Sequence, residues 1–125
     1  EATVFQSHLL VYNDQLNTSY CNSKTQSCAK KASRRFLAIC ENENNEIVHV
    51  IIHSPSETTL HDGTTNVFKF LKDYKEMKKV QFMINIDTGC QNVFNLYKSD
   101  GTKYTKIKGT LDESEAANLL VYYYE

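Results

Sequence analysis

The chain has 125 residues and a mass of 14.4 kDa, with 41% hydrophobic and 23% charged residues, the profile of one globular domain with room for a single core. Fourteen Lys and Arg against fifteen Asp and Glu give a formal net charge of −1, which leaves no electrostatic footprint for non-specific binding to nucleic acid or an anionic membrane. No apolar run approaches the ~20 residues of a membrane-spanning helix. The opening residues Glu1 to Phe5 lack the charged-then-apolar layout of a signal peptide, so the sequence reads as already cut or as part of a longer chain.

Val4 to Tyr12 is rich in β-branched, leucine and aromatic residues and breaks at Asn13-Asp14, which predicts a strand and a turn. Residues 13–33 read as a polar loop. Arg35 to Cys40 and Ile47 to Ile52 predict two strands joined by the charged hairpin connection Glu41 to Glu46. The second run is apolar nearly throughout, as expected of a strand covered on both faces.

Beyond Gly63, the residues Val67, Phe68, Leu71, Tyr74 and Lys75 recur at helical spacing, with Lys69, Lys72 and Asp73 on the other side. This predicts the main helix, between residues 64 and 77, with Thr64 or Thr65 as its N-cap. Val80, Phe82, Ile84 and Ile86 alternate with Gln81, Met83 and Asn85 and stop at Asp87-Thr88-Gly89, a strand ending in a turn. Val93 to Tyr97, the turn Ser99-Asp100-Gly101 and Lys103 to Lys108 predict a hairpin, and Ala117 to Tyr124 a terminal strand. The expected fold class is α+β, a single domain over residues 1–125 with a mixed β-sheet and right-handed crossovers wherever strands around the helix run parallel.

Cys21 and Cys28 sit in a polar stretch with six residues between them. That spacing suits a loop-closing disulfide better than a metal half-site, whose cysteines are usually about two to four residues apart. Cys40 follows Phe36-Leu37-Ala38-Ile39 and reads as a small buried hydrophobe. Asn17-Thr18-Ser19 is an N-glycosylation sequon. With the expected disulfide it points to an extracytoplasmic or secreted location.

Three places could carry chemistry. His61-Asp62-Gly63-Thr64-Thr65 reads as a helix start, where free N–H groups and the positive dipole end accept an anion, although glycine and threonine in such places are commonly turn and cap residues. Asn85-Ile86-Asp87-Thr88-Gly89 puts a carboxylate at the carboxyl end of a strand, where it could act as general acid, base or hydroxyl acceptor, or be an ordinary turn. Arg34-Arg35 could grip a phosphate with paired hydrogen bonds, or be solvated. No Ser/His/Asp order, glycine-rich phosphate loop or His-x-x-x-His metal spacing is present, and no cofactor is indicated.

In order, these segments resemble the second half of the phosphodiester glycosidase domain family, which includes the enzyme that uncovers mannose 6-phosphate tags by removing N-acetylglucosamine. Phe5 to Asp14 resembles the family's leucine-valine strand with its Asp-Gly turn, and Ser33-Arg34-Arg35-Phe36-Leu37-Ala38-Ile39 its Arg-Thr-x-x-Gly-hydrophobic strand. Ile47 to His53 resembles the valine-rich strand, and Asp62-Gly63-Thr64-Thr65 the glycine-containing approach to the next helix. Met83 to Gln91 resembles the signature Asn-Leu-Asp-Gly-Gly-Gly-Ser, with Thr88, Cys90 and Gln91 in place of two glycines and the serine; Ala116 to Val121 resembles the closing strand.

The resemblance implies a hydrolase of glycosidase type that binds a sugar-phosphate or related carbohydrate. Asp87 would be the catalytic or hydroxyl-binding carboxylate, Asn85 would orient it, Arg34 would hold the phosphate, and Gly63, Thr64 and Gly89 would line the substrate. It also implies that the chain is the C-terminal portion of a larger domain, whose N-terminal fragment from the same precursor supplies an Asn-Gly-Gly segment to the site. The alternative is a catalytically degenerate module that binds a glycan or a protein, for which eight tyrosines, Tyr122-Tyr123-Tyr124 among them, would suit stacking or an interface.

Overall fold

The computed structural model describes residues 7–19, 26–86, 94–98 and 100–108. The chain divides into two compact units, Glu1–Ile86 and Asp87–Glu125. The architecture is α+β, with one main helix and sheets whose neighbouring strands run antiparallel.

The first unit is built on a five-stranded sheet. Strand β1 (Leu9–Tyr12) turns through Asn13 and Asp14 into the short β2 (Gln15–Leu16). Both turn residues have positive φ, 51° and 65°, the geometry that a two-residue hairpin requires and that Asn and Asp tolerate best after glycine. The short helix α1 (Gln26–Ala29) follows, so the stretch read as a polar loop contains a strand and a helical turn.

Next come β3 (Ala32–Glu41), β4 (Ile47–Thr58), helix α2 (Leu60–Lys69) with a π-helical turn (Phe70–Tyr74), and β5 (Lys79–Ile86). The spatial order is β2-β1-β5-β3-β4. Strands β4 and β5 are each antiparallel to β3, so they run the same way, joined through α2, yet β3 lies between them. That interposed strand replaces the expected parallel ladder, and the described sheet is antiparallel rather than mixed.

A second correction concerns the middle of the sheet. The apolar run of β4 was the expected centre, but β4 is the last strand in the order and none of its residues is fully buried. The central strands are β5 and β3, and β3 buries Arg35, Phe36, Leu37, Ala38 and Cys40. Leu60, Val67 and Leu71 pack on the face formed by Leu10, Val11, Phe36, Ala38, Cys40, Val80 and Met83. At ~25 cal/mol per Å² of apolar surface, such burial is the main favourable contribution to folding.

The helix starts earlier than the pattern predicts. Thr59, extended at φ −68° and ψ 159°, is the N-cap: its hydroxyl oxygen accepts from Asp62 N at 3.0 Å and donates to Asp62 Oδ2 at 2.8 Å. The Thr59 side chain thus caps the helix, and Asp62 in the third helical position places its charge at the positive dipole end. Thr64 lies inside the helix, its hydroxyl donating to Leu60 O at 2.7 Å.

At the other end the ladder widens to Lys75 N–H donating to Phe70 O at 3.0 Å. The extra residue of a π-turn rotates the following side chains relative to an α-helix. Leu71 stays in the core, while Tyr74, expected on the apolar stripe, is 77% exposed.

In the second unit, β6 (Phe94–Tyr97) and β7 (Lys103–Lys108) pair antiparallel. Gly101 takes φ 81° in the connecting turn and donates to Lys98 O at 3.0 Å, as the Asp100-Gly101 signal predicts. The expected terminal strand, Ala117 to Tyr124, lies outside the described residues.

Candidate functional site

Four of the sequence-derived candidates, Arg34, Gly63, Thr64 and Asn85, come to one end of the five-stranded sheet. In register, Phe36 of β3 lies opposite Asn85 of β5 and Ile52 of β4, and Arg35 lies opposite Ile86 and His53. Because successive side chains alternate across a strand, Arg34, Phe36 and Asn85 belong to the helix-covered face, and Arg35, His53 and Ile86 to the other.

Asn85 is the most informative of these residues. Its carboxamide oxygen Oδ1 is buried and has no hydrogen-bond partner among the described residues. An acceptor in that condition costs about 1–3 kcal/mol of uncompensated desolvation, so natural folds leave few of them. Its backbone carbonyl accepts from the Ser7 hydroxyl, which ties the segment before β1 to the end of β5.

Arg34 is anchored rather than solvated. Its Nη2 donates to Lys30 O at 2.7 Å and its Nε to Thr58 O at 3.4 Å, so the guanidinium bridges the approach to β3 and the end of β4. These bonds use part of its donor fork and fix its plane.

Gly63 and Thr64 do not form a helix start, which corrects the role expected of them. Thr64 is buried and uses its hydroxyl within the helix. Gly63 is a packing residue: a Cβ there would stand 3.0 Å from Phe36 Cζ and 2.9 Å from Thr58 Cγ2. The absence of a side chain lets α2 approach the sheet where Phe36 neighbours Asn85.

Arg35, the second member of the Arg34-Arg35 pair read as a phosphate grip, faces away from Arg34, beside His53, which the sequence did not single out. Arg35 is only 3% exposed, on the sheet face shared with the buried Leu37 and Ile84, and burial holds its pKa below the ordinary guanidinium value. The signal was present in the alternation: if Phe36, Ala38 and Cys40 face the helix, Arg35 joins Leu37 and Ile39 on the opposite side.

Asp87 and Gly89, the remaining members of the expected site, lie outside the described residues, as does Cys21, and with it the expected Cys21–Cys28 bridge. Cys40 is a buried free thiol whose pKa is pushed up to about 11, chiefly by burial, with the Asp14 charge adding to it. Among the described residues, no group of three or more His, Cys, Asp or Glu could hold a metal ion, and no helix is long and apolar enough to cross a membrane. No family model matches the chain, no curated protein matches it, and no solved structure matches it.

Proposed function

We propose that the chain is a phosphodiester glycosidase-like domain that binds a sugar-phosphodiester or related glycoside, and hydrolyses it when a preceding segment of the same precursor completes the site. One observation carries this reading: the buried, unpartnered Oδ1 of Asn85, two residues before Asp87 and on the same sheet face as the anchored Arg34. A sugar hydroxyl is a donor of the right kind for that oxygen, and a guanidinium suits the phosphate. In this reading Asp87 is the carboxylate that acts as general base or hydroxyl acceptor, and Gly89 is a substrate-binding residue. Gly63 and Thr64 shape the wall behind the site rather than touching substrate, in keeping with their burial.

The test uses an N-acetylglucosamine phosphodiester of a simple mannoside, added to the chain alone and to the chain joined to its preceding segment. Expected results are saturation transfer to the sugar protons in both forms, and release of N-acetylglucosamine in the joined form that Asp87→Asn abolishes. Neither transfer nor release in either form would overturn the reading.

The alternative, a glycan- or protein-binding module without catalysis, is favoured by a different feature. On the π-turn, the rings of Phe70 and Tyr74 stack with centroids 5.7 Å apart and planes 14° from parallel, and Lys75 Nζ lies 5.7 Å from the Phe70 centroid. Exposed aromatic faces of this kind stack on sugars or serve as interface anchors. If this is the working surface, Phe70→Ala with Tyr74→Ala removes glycan binding while Asp87→Asn retains it. Both readings carry an extracytoplasmic location with a Cys21–Cys28 bridge, which a non-reducing peptide mass map checks.

A further inference from the structure

The sequon Asn17-Thr18-Ser19 is the only Asn-x-Ser/Thr triplet in the chain. It follows β2, the last strand on its side of the described sheet. Thr18 and Ser19 are exposed and Asn17 is half-buried. The Asn17 Oδ1 accepts from the Ser19 hydroxyl at 2.6 Å and from Ser19 N–H at 3.1 Å, while its Nδ2 donates to Leu9 O at 2.7 Å. A carboxamide nitrogen carries two protons, so one N–H is enough for the bond to Leu9.

We propose that Asn17 is an N-glycosylation site, which rests on the extracytoplasmic location of the preceding reading. The glycosyl donor is a lipid-pyrophosphate-linked oligosaccharide. The bond from Asn17 Nδ2 to the anomeric carbon forms, the bond from that carbon to the pyrophosphate oxygen breaks, and the lipid pyrophosphate leaves with the electron pair. One Nδ2 proton is lost and no oxidation occurs. The remaining N–H continues to donate to Leu9 O, so the turn that closes on β1 survives modification.

The site has a physical use. The β1–β2 hairpin exposes Leu9, Tyr12 and Leu16 along a sheet edge. Exposed edges with apolar side chains invite pairing with another chain, and a bulky hydrophilic glycan beside them blocks it.

The full chain, given a cleavable secretory leader, is produced in eukaryotic cells, and the peptide containing residue 17 is recovered from cells and medium together. Treatment with peptide N-glycosidase in heavy-oxygen water is expected to convert Asn17 to labelled Asp and to abolish a gel-mobility shift. Asn17→Gln and Ser19→Ala should both lose the shift, and Ser19→Thr should keep it. Unmodified Asn17 in the recovered peptide, or a glycan that persists in Asn17→Gln, overturns the proposal. Because the leader is supplied and no sugar-phosphodiester is involved, either result is independent of the test of the glycosidase reading.

Discussion

Lys72 Nζ lies 2.9 Å from Asp14 Oδ2, joining the β1–β2 turn to the π-turn across a separation of 58 residues. Asp14 Oδ1 accepts from Val80 N at 2.7 Å, and Lys72 also donates to Lys78 O at 2.7 Å. Three chain segments therefore meet at one carboxylate. Burial alone would raise the Asp14 pKa, but the bonds from Lys72 and Val80 and the charges of Lys72 and Lys79 outweigh it and hold the group below the usual carboxylate value.

A depressed folded-state pKa stabilises above the unfolded value of about 3.9, and that contribution disappears as pH falls through the lower folded value. Asp14→Asn keeps an acceptor for Val80 and removes the charge. The pair is partly exposed, with side-chain accessibilities of 27% and 35%, so solvent screening keeps the loss modest. Urea unfolding should show about 0.5–1 kcal/mol lost at pH 7 and a difference that vanishes toward pH 2. An equal loss at both pH values would assign the effect to packing instead.

Gly63 offers a test of how tightly α2 sits on the sheet. Alanine has the higher helix propensity, by about 1 kcal/mol, so a solvent-facing Gly→Ala change would stabilise. Here the new methyl would meet Phe36 Cζ at 3.0 Å, and Phe36 is fully buried. Overpacking of this kind costs about 1–3 kcal/mol, so after the propensity gain Gly63→Ala is expected to destabilise by up to about 2 kcal/mol net. Adding Thr58→Ser removes the Cγ2 that would lie 2.9 Å away and should recover part of the loss. Stabilisation by Gly63→Ala alone would mean that the helix can lift from Phe36 freely.

Cys40 should behave as a core residue rather than a reactive thiol. With its pKa at about 11, only about one thiol in a thousand is ionised at pH 8. Iodoacetamide should leave Cys40 unlabelled in the folded chain over hours and label it rapidly in urea, as read by peptide mass. Cys40→Ser puts a hydroxyl at a fully buried position and should cost about 1–3 kcal/mol. Rapid native labelling would show that β3 opens locally on the time scale of the experiment.

The β3–β4 hairpin was legible because its apolar strands flank a turn whose residues state their own geometry. Asn42 Oδ1 accepts from Asn44 N and Glu46 N, and Asn45 takes φ 61°. The helix boundary was not legible, because Thr59 and Thr64 both suit a cap and only the bond from Asp62 N decides between them. The π-turn leaves no periodic trace: Phe70 and Tyr74 sit four apart, as on an α-helical stripe, yet both face solvent. Strand β4 read as central because its Ile and Val run matches that of a doubly covered strand, yet at the last place in the order those side chains are only partly covered. At the candidate site, alternation along β5 gave the place of Asn85, but its unmet oxygen depends on neighbours far apart in sequence.

That oxygen sets stability and function against each other. A buried acceptor without a donor weakens the free fold, so Asn85→Ala removes its penalty along with some packing of the side chain. The expected result is an unfolding free energy unchanged or raised by up to about 1 kcal/mol, because sites shaped for a ligand are seldom optimal for the empty protein. In the same variant, affinity for the sugar-phosphodiester should fall about tenfold, equivalent to about 1.4 kcal/mol. Paired chemical-denaturation and calorimetric titrations of the two proteins measure both quantities. A loss of stability above about 1 kcal/mol with affinity unchanged would mean that the carboxamide serves the fold alone, since a donor lost from within the fold carries a penalty of that size.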